Sequence, residues 1–193
     1  MLQLFSENIQ VIEELLGYTF KNKDILRQAL THKSYSNENP AFHNLCNERM
    51  EFLGDAILEL FICEYLYNTY PDYTEAELSK IKSYAVREST IARAAQKLKL
   101  GSYLLLGKGE ENTGGRQKSS LLSDAFEAIV AAIYLDGGFE EAKNFILKAL
   151  KDDITELVER KKIFDFKTRL QEVVQSMYNV LPKYKIIREY GPK

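Results

Sequence analysis

Cysteine and histidine are scarce in this chain of 193 residues, two of each, and that scarcity excludes several kinds of chemistry. Cys46 and Cys63 lie in or beside helix-like patterns with no Cys/His ligand spacing around them. A disulfide-stapled scaffold and a zinc module are therefore not expected; two reduced thiols in a cytoplasmic protein are. Long apolar runs are missing too. Nowhere do eighteen uncharged apolar residues line up, and the N-terminal MLQLFSENIQ has no basic region followed by an apolar stretch, so neither membrane span nor export signal is expected. Serine nucleophile elbows, Walker loops and dinucleotide fingerprints are also absent. No nucleotide cofactor is expected, and GKGEENTGG reads as a flexible loop.

What the chain does have is a 45% apolar composition, enough to bury a core in one domain or in one domain plus a fragment. The net charge of −2 conceals a division near Arg160. Residues 160–193 carry nine Lys/Arg against three Asp/Glu, a balance of +6, which leaves −8 on residues 1–159. A basic tail suits a polyanion such as nucleic acid, whereas the acidic body would repel one unless its carboxylates hold cations.

Apolar residues recur at spacings of three and four, which predicts helices near 6–16, 22–32, 47–69, 74–99, 119–136 and 138–160. Breaks are expected at Asn37 to Pro40, Tyr70 to Tyr73, Gly107 to Gly115 and Asp136-Gly137-Gly138. No strand alternation precedes residue 180. After a charged link, Glu159 to Lys162, DFKTRLQEVVQSMY reads as a helix and KYKIIREY as a strand. The expected architecture is an all-α domain over 1–160, followed from 161 to 193 by the start of an α+β domain.

The segment NERMEFLGDAILELFICEYL, residues 47–66, carries the first chemical signal. At about 100° per residue, Glu48, Glu51 and Asp55 fall within about 60° of one another. A solvated face would explain them, since Met50, Leu53, Ile57 and Leu60 gather opposite. Phe52, Ile62 and Leu66, however, project on the acids' own side, and a helix apolar all round is normally buried. In SSLLSDAFEAIVAAIYLD, residues 119–136, Asp124 and Glu127 are the sole charges before the terminal Asp136 and share a face. Burying carboxylates costs several kcal/mol each without compensation, so both helices call for a partner. Carboxylate oxygens without His or Cys are hard ligands that suit magnesium or manganese. One or two such ions activate water and stabilise the charge developing on a phosphodiester, with no histidine required. Neither His32 nor His43 sits in these helices; His32 in ALTHKSY reads as a helix-end residue or an RNA-facing one.

NERMEFLGDAIL closely resembles the hallmark motif of ribonuclease III enzymes. The likeness continues through LLGYTFKNKDILRQALTHKSY, TEAELSKIKSYAVRESTIARAA and LLSDAFEAIVAAIYLDGGFEEA, and so covers nearly all of residues 11–143. DFKTRLQEVVQ followed by LPKYKIIREYGP resembles the first helix and first strand of a double-stranded RNA-binding domain, whose remaining strands and last helix the sequence does not contain. The resemblance implies a ribonuclease III helical fold and a magnesium-dependent endonuclease, with manganese as substitute, acting on double-stranded RNA. Glu51, Asp55, Asp124 and Glu127 match the family's metal-holding carboxylates, with Asp55 and Glu127 the most essential. Glu48 and Glu75 match acidic positions linked to RNA engagement and to metal or water organisation. Ala76 stands where a glycine is common, which puts the local backbone in question. Gln171 and Glu172 resemble minor-groove contacts of the second domain.

The resemblance also implies a homodimer in which Phe52 inserts into the partner subunit. Gly54 inside a helix costs about 1 kcal/mol relative to alanine and is expected where something packs closely. On residues alone, plain core packing of Phe52 stands beside a subunit contact. Two sites along one valley would cut opposite strands, leaving 5′-phosphate and short 3′-overhang ends, with ribosomal RNA precursors and structured messengers as substrates. Duplex RNA is read by shape, phosphates and 2′-hydroxyls, so no base-reading motif is needed. The competing class is a catalytically dead RNA-binding relative, which loss of the four acids would betray; all four are present.

Overall fold

A computed structural model describes residues 2–42, 45–183 and 185. The helices in chain order are α1 Leu2–Leu16, α2 Lys23–Ala29, α3 Lys33–Glu38, α4 Glu48–Thr69, α5 Glu75–Ala85, α6 Glu88–Lys97, α7 Lys108–Asn112, α8 Ser119–Gly137 and α9 Phe139–Tyr178. Three short 3-10 turns complete them. Among the described residues there is no strand, only a parallel bridge between Thr31 and Leu105, so the fold is all-α as the periodicity predicts. No described helix is long and apolar enough to cross a membrane. The chain divides into two compact units, Met1–Ile154 and Thr155–Lys193.

Several boundaries differ from the expected ones: α1 begins at Leu2, and the helix expected over 22–32 ends at Ala29, with a separate α3 following it. The pattern over 74–99 is two helices, α5 and α6, separated at Val86 and Arg87. The glycine-containing loop contains α7, whose start is fixed by distant groups: Gly107 N donates to Ser34 Oγ (2.9 Å) and Lys108 N to Glu38 Oε2 (2.9 Å). The charged link 159–162 is helical, because Glu, Arg and Lys are good helix formers and no Gly or Pro interrupts α9. Of the expected strand over 183–190, Lys183 and Lys185 carry none, and the rest lies outside the described residues, as does His43.

The first unit is built around α8. Ten of its residues are buried, and the small Ala125, Ala128, Ala131 and Ala132 let neighbouring helices approach closely. α4 lies against it more extensively than any other element, with α6 and α2 also in contact. Gly54 sets the α4–α8 separation: a Cβ there would overlap the Glu127 carbonyl. The close approach expected at Gly54 is thus met within the chain and lends no support to a subunit contact. Phe126 of α8 stacks on Phe145 of α9 (5.4 Å), and buried Asp153 accepts from Lys97 (2.7 Å) and pairs with Arg93 (3.2 Å), fixing the first part of α9 to α6. At the far end of α8, Asp136 accepts from Tyr18 Oη (2.7 Å) and from the amides of Lys21 (2.8 Å) and Asn22 (2.9 Å).

Helix α4 presents three arcs. Met50, Gly54, Ile57, Leu58, Phe61, Ile62 and Leu66 face the core. On the other side Phe52 (81% exposed), Ala56, Leu60 (56%), Cys63 and Tyr67 (74%) form an exposed stripe at helical spacing, so Leu60 is not the core residue its position suggested. Between core and stripe lie the acids.

Candidate active site

The start of α4 is placed by backbone bonds. Asn47 N donates to Thr31 O (2.9 Å), His32 N to Leu105 O (3.0 Å) and Leu105 N to Leu30 O (2.9 Å), so the segments before α3, α4 and α7 are fastened together. His32 is buried and caps α3, its Nδ1 accepting from Ser34 N (3.2 Å); burial holds its pKa below the ordinary value. It is the helix-end residue, at a helix start.

Along α4, Glu51 stands three residues before Gly54. Because Gly54 rests on the backbone at Glu127, Glu51 meets Asp124 and Glu127 of α8 at the helix contact. One carboxylate oxygen from each of the three lies within 4.8 Å of the others, and all three side chains are half-buried. At that separation and an effective dielectric of ~20, two ionised carboxylates repel by roughly 3–4 kcal/mol. A net hydrogen bond of about 1 kcal/mol does not offset this, and the contact of Ser123 Oγ with Glu127 is a long 3.4 Å. The cluster therefore takes up a proton or a cation. Without a cation, burial, followed by the charges of Asp55, Asp124 and Glu51, pushes Glu127 up to about 8. Burial and then Glu88 raise Asp124; burial and then Asp124 and Glu48 raise Glu51. The donors are all hard oxygens, which fits magnesium or manganese.

Asp55, one turn beyond Glu51, is exposed and outside this trio, although its charge acts on both Glu127 and Glu51. Glu48 is exposed and held by Lys33 Nζ at 3.0 Å, which keeps its carboxyl below the usual range. Glu75 starts α5, accepts from Ser79 Oγ (2.7 Å) and lines an open cleft of ≈ 710 Å³ with Cys63, Tyr67 and Tyr73 rather than joining the trio. Phe52 projects outward. Gln171 is half-buried in the second unit, and the Glu172 side chain lies outside the described residues. Sequence reasoning missed Glu88 and Lys33: both act on Asp124 from other elements, and no periodicity within one helix reports such a neighbour.

Residues 22–154 match the family model described as Ribonuclease-III-like. Ribonuclease 3 of Syntrophobacter fumaroxidans is 45% identical over 192 residues, 97% of this chain and 79% of that protein. Ribonuclease 3 of Caldanaerobacter subterraneus subsp. tengcongensis is 47% identical over 181 residues, 94% of this chain and 79% of that one. A crystal structure of the nuclease domain of ribonuclease III from Campylobacter jejuni superposes with a TM-score of 0.70 at 44% identity, covering 76% of this chain and 95% of that domain. A second structure of that domain, described as flexible in a region involved in dimer formation, has the same TM-score and identity.

Proposed function

The chain belongs to the ribonuclease III family and is an endonuclease of double-stranded RNA; on that premise we propose that it hydrolyses RNA phosphodiesters at the Glu51, Asp124 and Glu127 cluster with Asp55 beside it. The observation that carries this reading is a half-buried carboxylate trio, within 4.8 Å, at the contact of the two central helices. Magnesium, with manganese as substitute, is the ion these donors suit, and when bound it supplies an activated water and neutralises charge developing on the phosphodiester. The chain's own part is to hold the carboxylates in place. α8 offers two acids one turn apart, Gly54 brings α4 close enough to add Glu51, and Asp55 extends the negative face outward. Asp55 and Glu127 are proposed as the most essential of the four. Glu48 and Glu75 stand at the edge and engage RNA or organise water.

The functional unit is a homodimer, supported by the exposed apolar stripe of Phe52, Ala56, Leu60, Cys63 and Tyr67 directly beside the acids. Large apolar side chains in a continuous row suit a partner surface more than water. Paired sites then cut opposite strands and leave 5′-phosphate and short 3′-overhang ends. Residues 161–193 are read as the beginning of a double-stranded RNA-binding domain in which Gln171 and Glu172 approach the minor groove. Ribosomal RNA precursors and structured RNAs in the cytoplasm are the proposed substrates.

The test is cleavage of a labelled RNA duplex beside single-stranded RNA and duplex DNA, with magnesium and with chelator. Magnesium-dependent cutting of the RNA duplex alone, with 3′-overhang products, is expected. Duplex RNA that is bound and never cut would replace this reading with that of a binding protein.

A further inference from the structure

The acidic body must accept a polyanion, and beyond a cation in the cluster something of positive sign has to meet the approaching strand. Among the described residues, Lys33 is the cation whose charge opposes the raised carboxyls of both Glu51 and Asp124. Its Nζ lies 3.0 Å from Glu48 Oε1, and both side chains are exposed. The backbone beneath it is fixed. Lys33 is the first residue of α3, His32 before it caps that helix and bonds to Leu105, and Thr31 O receives Asn47 N at the start of α4. Lys33 is thus anchored beside the trio by the same bonds that place α4. An exposed ion pair is worth at most about 1 kcal/mol, so exchange of its carboxylate for another oxyanion costs little.

We propose that Lys33 is a substrate-positioning residue: it leaves Glu48 for a phosphate oxygen of the strand to be cut and seats that strand's backbone over the Glu51, Asp124 and Glu127 cluster. The pair with Glu48 keeps the ammonium poised over the acidic face until RNA arrives. Phosphate offers the ammonium a charge-assisted hydrogen bond of the same kind as the one it gives up, and the exposed pair it replaces is weak enough for that exchange. The inference rests on the reading of the cluster as the cleavage site.

The experiment compares Lys33→Met and Lys33→Arg with the unaltered chain, measuring single-turnover cleavage of an RNA duplex in magnesium and duplex affinity against salt in calcium. Lys33→Met is expected to slow single-turnover cleavage roughly tenfold or more and to lower the slope of log affinity against log salt by about 1. Lys33→Arg should stay within a few-fold in rate and keep the unaltered slope. If Lys33→Met cleaves as fast as the unaltered chain, or keeps its slope of log affinity against log salt, the ammonium serves Glu48 and not phosphate, and the inference is overturned. An unaltered chain that leaves duplex RNA intact would instead remove the underlying reading of the cluster.

Discussion

Glu127 concentrates the electrostatics of the cluster in a single carboxyl. Glu127→Gln removes the charge of a proposed ligand oxygen without adding bulk, so cleavage should fall by roughly 10²–10³ or more while duplex binding persists. A parallel loss of binding in a titration with uncleaved duplex would count against a role confined to the metal. The same residue makes a pH prediction. Its carboxyl titrates at about 8 in the folded, cation-free chain against an ordinary 4.5, so the folded state holds this proton more tightly than the unfolded state. That stabilisation is complete below about pH 4.5 and is lost as pH rises through about 8. Thermal midpoints measured in chelator should therefore drop further for the unaltered chain than for Glu127→Gln between pH 6 and about 9, and magnesium should restore them. Parallel curves for the two would show that the carboxyl is not under this strain. The acids were legible in the sequence as an anomaly, charges on helices otherwise apolar. Lys33 and Glu88 were not, because their approach to Asp124 depends on how α3 and α6 pack and leaves no mark on either segment's own pattern.

At the scale of elements, α4 and α8 are one functional object whose spacing is set by Gly54. Helix propensity alone favours alanine at that position by about 1 kcal/mol. The overlap with the Glu127 carbonyl outweighs it, since overpacking a tight contact costs typically 1–3 kcal/mol and here the obstacle is backbone. Gly54→Ala should lower stability by about 1–2 kcal/mol in urea denaturation and weaken magnesium binding in the same variant. A gain in stability would mean that the helices separate freely. Long, strongly periodic helices were readable from the sequence, and the capping box of Thr74 and Glu77 marks the start of α5. What escaped reading was whatever depends on remote partners. The Val86–Arg87 break has no glycine or proline, α7 is held by Ser34 and Glu38 from far upstream, and the charges at 159–162 belong to residues that suit a helix as well as a linker.

For the whole molecule, the proposed homodimer rests on the exposed stripe of α4. Phe52→Glu places a charge in the middle of the proposed contact and should weaken association by at least ~2 kcal/mol, about thirtyfold. Sedimentation should then find monomers at concentrations where the unaltered chain is paired, and any remaining activity should nick one strand. An unchanged sedimentation coefficient would free the stripe for another partner. The three arcs of α4 also constrain how this protein tolerates gain or loss of a residue. One amino acid inserted ahead of Glu51 turns the rest of the helix by about 100° relative to α3 and the strapped loop before it. Such a turn points the carboxylates away from α8, presents Phe52 toward the core and drives a bulky side chain against the Glu127 carbonyl. Loops elsewhere absorb length changes; between Glu48 and Tyr67 a single-codon insertion or deletion should be as damaging as losing the helix.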